Sequence, residues 1–237
     1  MEQIEFTVNN SGIEEKVFFP RQTVEEVYLP LLKQLTRMQQ EKDSRLLVLL
    51  AAPPGCGKTV TSAFLQHLSQ TTPGLTPLTV IGMDGFHHYQ DYLLAHTIER
   101  DGRQINMVQV KGAPETFDLP LLTARLKRVA AGENCGWPTY DRTTHNPREN
   151  AIQVQGPIVL LEGNYLLLDR EGWRDLKTYA DYTIAMREDE DLLRRRLISR
   201  KISTGVTPEA AATFVDFSDL HNVRTCLQET MPADLEM

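Results

Sequence analysis

Cysteine is scarce in this chain: Cys56, Cys135 and Cys226 are the only three among 237 residues, far apart and without a Cys-x-x-Cys pair. A disulfide framework and a thiolate zinc site both lose their footing. Long apolar runs are missing too. The longest uninterrupted one, Leu46 to Ala52, is far too short to span a bilayer, and Met1-Glu2-Gln3-Ile4-Glu5 offers neither a basic leader nor an apolar signal core. The expectation is no membrane association and a reducing, cytoplasmic location. Excess positive charge is also absent, with 25 Lys and Arg against 32 Asp and Glu and a formal net charge of −7. Nucleic-acid phosphates demand a basic face, so a dedicated nucleic-acid binder is disfavoured, and any anionic ligand must be held by local geometry.

What is present is globular: 41% hydrophobic and 24% charged residues, in a length that suits one domain. Short Val-, Ile- and Leu-rich runs at 46–52, 78–81, 158–161 and 182–186 alternate with helical periodicity, the pattern of a parallel sheet covered on both faces. Helices are predicted over 59–69, over 118–131 behind a capping Asp118 with Pro120 just inside, over 188–204 up to Gly205, and from Thr207-Pro208 onward. Residues 1–45 read as a docked extension with a short strand at 4–8 and an amphipathic helix at 23–40 broken or kinked near Pro30. The stretches 99–117 and 134–150 are polar and aperiodic, and read as long functional loops.

The strongest signal is Ala52-Pro53-Pro54-Gly55-Cys56-Gly57-Lys58-Thr59 between an apolar strand and a helix. This is the spacing of a phosphate-binding loop, with Ala52 where the pattern usually has its first Gly. Gly55 and Gly57 permit backbone angles that aim successive N–H groups inward, with Pro54 and Cys56 between and beside them. Lys58 then bridges the terminal phosphates, and the Thr59 hydroxyl can ligate Mg²⁺. Cys56 is either a small residue tolerated by the loop or a redox-responsive thiol. No Asn/Thr-Lys-x-Asp guanine-reading tetrapeptide occurs, which favours ATP.

Ligands of open α/β sheets sit beyond the carboxyl ends of the strands. Asp84, in Met83-Asp84-Gly85-Phe86-His87, and Glu162, in Leu161-Glu162-Gly163-Asn164, stand at such ends. Phosphoryl transfer to a hydroxyl needs a carboxylate near the acceptor and an oxygen ligand for the metal, so Asp84 is read as the acceptor-orienting base and Glu162 as the metal-side acid. A plain turn cap is the alternative for Asp84.

In order along the chain, the loop, Asp84-Gly85-Phe86-His87, Lys111-Gly112-Ala113-Pro114-Glu115-Thr116-Phe117-Asp118, Pro138-Thr139-Tyr140-Asp141 and Leu161-Glu162-Gly163-Asn164-Tyr165 resemble the uridine kinase, phosphoribulokinase and bacterial pantothenate kinase superfamily. The resemblance runs from about Leu46 to the C-terminus. It implies a three-layer P-loop NTPase core, α/β in class, with a parallel sheet, helices on both faces and a helical lid over about 188–217. The domain would span 46–237. It also implies an ATP- and Mg²⁺-dependent kinase acting on a small hydroxylated substrate (nucleoside, pantothenate-like or sugar), with Asp84 catalytic.

His87, Tyr140, Arg142 and His145 are the candidate acceptor-side residues. Arg142 stands where the uridine kinase pattern has an aromatic, which suits an anionic or polyhydroxylated acceptor better than uracil. Within Arg194, Arg195, Arg196, Arg200 and Lys201, Arg196 and Arg200 share a helix face, and the resemblance suggests a lid that brings them to the transferring phosphate. A solvated face paired with Glu188, Asp189, Glu190 and Asp191 is the alternative. Asp219-Leu220-His221-Asn222 is a segment that the resemblance suggests closes over the nucleotide, with no role derived from its residues. The competing classes are an ATP-binding regulatory or nucleotide-sensing module without an acceptor, and a nucleic-acid binder using the basic helix. Oligomeric state stays open, a homodimer included.

Overall fold

A computed structural model describes residues 2–10, 13–100 and 102–237. The chain opens with an antiparallel hairpin, β1 (Gln3–Asn10) and β2 (Ile13–Pro20). A helical stretch follows: Arg21–Thr23, a π-turn over Val24–Tyr28, then α1 (Leu29–Lys42). Next come β3 (Leu46–Ala51), α2 (Lys58–Thr71), β4 (Leu78–Gly82) and a tight turn at Met83–Phe86. Helix α3 (Gln90–Ala95) leads into a hairpin of β5 (Thr97–Arg100) and β6 (Arg103–Asn106), and α4 (Leu119–Ala130) into a second hairpin of β7 (Cys135–Asp141) and β8 (Asn146–Val154). The last part holds β9 (Ile158–Gly163), β10 (Tyr182–Ala185), α5 (Glu190–Ile202), α6 (Pro208–Phe214), α7 (Leu220–Glu229) and β11 (Leu235–Glu236).

Five parallel strands form the central sheet in the order β11-β10-β3-β9-β4. Every residue of β3 is buried, and its side chains alternate between two apolar layers. Leu47, Leu49 and Ala51 join Leu122, Leu126 and Tyr165 on one face, while Leu46, Val48 and Leu50 join Leu31, Leu35 and Phe64 on the other. A third cluster of Leu193, Leu197, Val215, Leu220 and Val223 holds α5 to the C-terminal helices. The architecture is the three-layer α/β arrangement expected, helices on both faces.

Local signals placed the helix ends well. The Asp118 carboxylate accepts from the Leu121 N–H at 2.9 Å, Asp189 from Leu192 at 3.0 Å and the Thr207 hydroxyl from Ala210 at 3.4 Å. Of the break or kink expected near Pro30, the chain shows a local irregularity and no break: a π-turn stands just before the proline, and the helix runs on to Lys42. The stretches read as long loops, 99–117 and 134–150, carry much of the two hairpins instead. Their ladders need only a neighbouring strand, not a buried face, so the apolar alternation that marks a strand is missing. Strands β2 and β11 also escaped the pattern. The first hairpin is pinned by Phe19, which stacks on Phe64 of α2 at 4.0 Å with an interplanar angle of 6°.

Candidate active site

Between β3 and α2 the chain must turn sharply, and Gly55 and Gly57 do so at φ of 81° and 95°, a region that side chains rarely adopt. The loop leans on α5: a Cβ at Gly55 would lie 3.1 Å from Leu197 Cγ and 3.4 Å from the Leu193 carbonyl. Just inside α2 the Thr59 hydroxyl donates to Glu162 Oε1 at 3.1 Å. Glu162 is the penultimate residue of β9, not beyond it as the strand 158–161 implied, and its Oε2 is enclosed with no donor in reach. Burial pushes its carboxyl up, Lys58 opposes the rise and Asp84 adds to it.

Asp84 rides on the turn after β4, and that turn is clamped. A Cβ on Gly85 would overlap the Pro138 carbonyl, and the buried Trp137 indole donates to the Gly82 carbonyl at 2.8 Å. Hairpin β7–β8 therefore carries Tyr140 and Arg142 up beside Asp84. His87 is buried, its ring 3.9 Å from that of Phe117 and 5.1 Å from that of Tyr140. Its Nδ1 lies 2.8 Å from the Asp84 carbonyl, which can only accept, so Nδ1 carries the proton and Nε2 is left as an acceptor. Burial holds the imidazole below its ordinary pKa and keeps it neutral.

These elements enclose a cleft of about 680 Å³. Pro54, Lys58, Asp84 and His87 line it, and so do Tyr140, Arg142, His145 and Arg200. Gly55, Cys56, Gly57, Thr59 and Glu162 form the loop and its support without reaching the wall. Arg196 does not reach it either and sits 3.4 Å from Glu188, the surface pairing weighed for this helix. Arg194 is likewise taken, gripping Asp216 at 2.6 and 2.8 Å. Burial lifts the Cys56 thiol to about 11, so it stays protonated at neutral pH and the redox-responsive alternative loses its thiolate.

Further wall residues carried no sequence-based role. Lys111 donates to Gln90 Oε1 at 3.0 Å and to the His145 carbonyl at 2.9 Å, with its ammonium 4.8 Å above the Tyr140 ring centre. Asn164, Lys201, Asp219 and Asn222 also line the cleft. Lys111 and Asn164 belong to the quoted segments, but a motif's order does not say which side chain turns inward. Asp219 ends a second π-turn, Val215–Asp219, and Asn222 follows it; no sequence period announces that turn.

The donors beside the loop suit magnesium. A hydroxyl and a carboxylate, with one enclosed carboxylate oxygen lacking a donor, are the hard oxygen donors such a cation takes. Among the described residues no group of three or more His, Cys, Asp or Glu could hold a metal alone. A cation at Thr59 and Glu162 would complete its shell with phosphate oxygens and water.

The model of the Phosphoribulokinase / Uridine kinase family matches residues 47–231. The Escherichia coli K12 protein YggC, named only as uncharacterized, is 40% identical over 98% of this chain and 94% of its own. Pantothenate kinase of Lactococcus lactis is 29% identical over 76% of this chain and 62% of the enzyme. A Silicibacter sp. TM1040 protein, provisionally named a fructose transport system kinase, superposes with a TM-score of 0.78 at 30% identity, covering 88% of this chain and 98% of that one. No helix among the described residues is long and apolar enough to cross a membrane.

Proposed function

The chain belongs to the phosphoribulokinase/uridine kinase family, and from that premise we propose that it transfers the γ-phosphoryl group of ATP to a hydroxyl of a small metabolite. The observation that carries the reading is the meeting on one cleft of Lys58, which opens the helix after β3, and Asp84, on the turn after β4, with β9 between the two strands. The backbone N–H groups of 54–59 and the N-terminal end of α2 would cradle the β- and γ-phosphates, with Lys58 bridging them. Thr59 and Glu162 are the residues that would hold Mg²⁺, which would supply neutralisation of phosphate charge. Asp84 would take the proton of the acceptor hydroxyl as its oxygen bonds the γ-phosphorus. The β,γ-bridging P–O bond breaks in line, and its electron pair leaves with ADP. Arg200 of α5 lines the cleft, as does its neighbour Lys201, and would meet the transferring phosphoryl. His87, neutral and fixed by the Asp84 carbonyl, offers Nε2 to the acceptor.

The test is ADP release with ATP and a panel of nucleosides, pantothenate-like acids and sugars, the last suggested by the name of the Silicibacter relative. At least one hydroxylated compound should raise ADP release well above the acceptor-free rate. Lys58→Ala should lower that stimulated rate by about 10²-fold or more. ATP binding with no stimulation by any member would favour a nucleotide-sensing module instead.

A further inference from the structure

A second cavity, of about 640 Å³, lies between the β5–β6 hairpin and the C-terminal helices. Arg100 and Arg103 line it from the hairpin, and Asp216, Phe217, His221 and Arg224 from the second π-turn and α7. None of these six lines the phosphoryl-transfer cleft. The register of the hairpin sets Arg100 directly opposite Arg103. Residues so paired in an antiparallel ladder share a face, with Cβ atoms roughly 5 Å apart, and like charges there repel. Neither side chain makes a hydrogen bond or an ion pair among the described residues, so the fold carries that repulsion without an anion to offset it.

The carboxylates nearby are taken. Asp216 is gripped by Arg194 of α5 at 2.6 and 2.8 Å. Glu190 Oε1, also of α5, accepts from Nε and Nη2 of Arg224 at 2.9 and 2.7 Å. Three guanidinium groups therefore share the wall with one carboxylate that is already paired. Arg100 Nη1 is enclosed with no acceptor in reach, so Arg100 acts on the cavity through its charge, while contact falls to the exposed Arg103 and Arg224. A guanidinium fork matches the oxygens of a phosphate in geometry and charge. Phe217 is 50% exposed on the same wall, an aromatic face that the organic part of a ligand would take out of water.

We infer that this cavity is a second ligand site, for a small phosphate monoester whose phosphoryl group meets Arg103 and Arg224 in the field of Arg100 and whose organic part lies on Phe217. Such a ligand would fasten the β5–β6 hairpin to α7. Both elements continue into the cleft wall, the hairpin at Val108 and Lys111 and the helical side at Asp219 and Asn222, so the ligand would hold together two elements that the cleft shares. Binding there requires neither ATP nor an acceptor, and stands or falls apart from phosphoryl transfer.

The probes are phenyl phosphate, methyl phosphate and inorganic phosphate. They are titrated by calorimetry at constant ionic strength into the full chain with Mg²⁺ and a non-hydrolysable ATP analogue, which fill the phosphate loop. Phenyl phosphate should bind with a Kd of about 1 mM or tighter, and methyl phosphate and inorganic phosphate more weakly. Arg103→Gln should weaken phenyl phosphate about tenfold, Phe217→Ser should erase its advantage over methyl phosphate, and Arg142→Gln, in the cleft, should leave its affinity within about twofold. In phosphate-free buffer Arg103→Gln should unfold at the parent's temperature or above it, because it ends the repulsion with Arg100. Phenyl phosphate should slow amide exchange in β5, β6 and α7 of the parent and not of Arg103→Gln. No binding of phenyl phosphate at millimolar concentration overturns the inference, as does an affinity untouched by both Arg103→Gln and Arg224→Gln. An affinity lost instead in Arg142→Gln places the anion in the cleft and also overturns it. A lower unfolding temperature for Arg103→Gln without phosphate would show that the arginine has its partner within the fold. Inorganic phosphate binding as tightly as phenyl phosphate would sink the monoester.

Discussion

The nucleotide side and the acceptor side of the cleft are built by different rules. On the nucleotide side, one contiguous segment from Ala52 to Thr59 supplies backbone donors, two left-handed glycines, a lysine and a hydroxyl, and the start of α2 orients them. On the acceptor side, the Asp84 turn, Lys111, the β7–β8 hairpin, the end of β9 and α7 each contribute a side chain or two. A phosphate is the same in every nucleotide, so a local conformation suffices to hold it. An acceptor differs from enzyme to enzyme, and its recognition is spread over elements that can vary independently of the loop.

The division can be broken most sharply at Asp84. Asp84→Asn should cut acceptor-dependent turnover by about 10²–10⁴-fold while leaving ATP affinity, read by calorimetry, nearly unchanged. Turnover equal to the parent would remove Asp84 from the chemistry and erase the distinction between the sides. A smaller effect is expected where the hairpin meets the turn. In Gly85→Ala the new methyl overlaps the Pro138 carbonyl, a backbone atom that cannot swing away. Urea unfolding should report a loss of about 1–3 kcal/mol, and the KM for the acceptor should rise more than that for ATP. A variant of parental stability would show that the hairpin is not clamped there.

The smallest effect concerns Glu162 and is a matter of pH. Burial raises its carboxyl above the ordinary 4.5 in the folded chain. The folded state therefore holds that proton more tightly than the unfolded one. The favourable contribution is full below the unfolded value and is lost as pH rises through the folded one. Glu162→Gln should accordingly gain stability relative to the parent across that window and converge with it near pH 4, in thermal melts without divalent cation. A relative loss at neutral pH would mean that Lys58 and Thr59 outweigh burial and favour the charged carboxylate.

Much of the molecule was legible beforehand. Strands β3 and β9 are buried and are runs of Leu, Ile and Val, and α4 and α6 announce themselves by Asp118 and Thr207; α5 was placed from its period, two residues early, and its cap Asp189 was seen only in the fold. The hairpins did not, because polar ladders carry no period tied to a buried layer. The helix spacing of Arg196 and Arg200 was correct, yet only Arg200 lines the cleft, while Arg196 meets Glu188. Shared helix face and shared destination are different things.

What the linear order of residues determined by itself is whatever a contiguous segment can do alone: turn at Gly55 and Gly57, present Lys58 and Thr59 at a helix start, and bury an apolar strand. What only the tertiary structure decided is the company each side chain keeps. Lys111 with no carboxylate in ion-pair range and Asn164 and Asn222 with enclosed amide oxygens that no donor meets, all among the described residues, and Glu162 enclosed beside Thr59, arise from elements far apart in the chain. Their charge and hydrogen-bonding balance is set by neighbours that no spacing rule names.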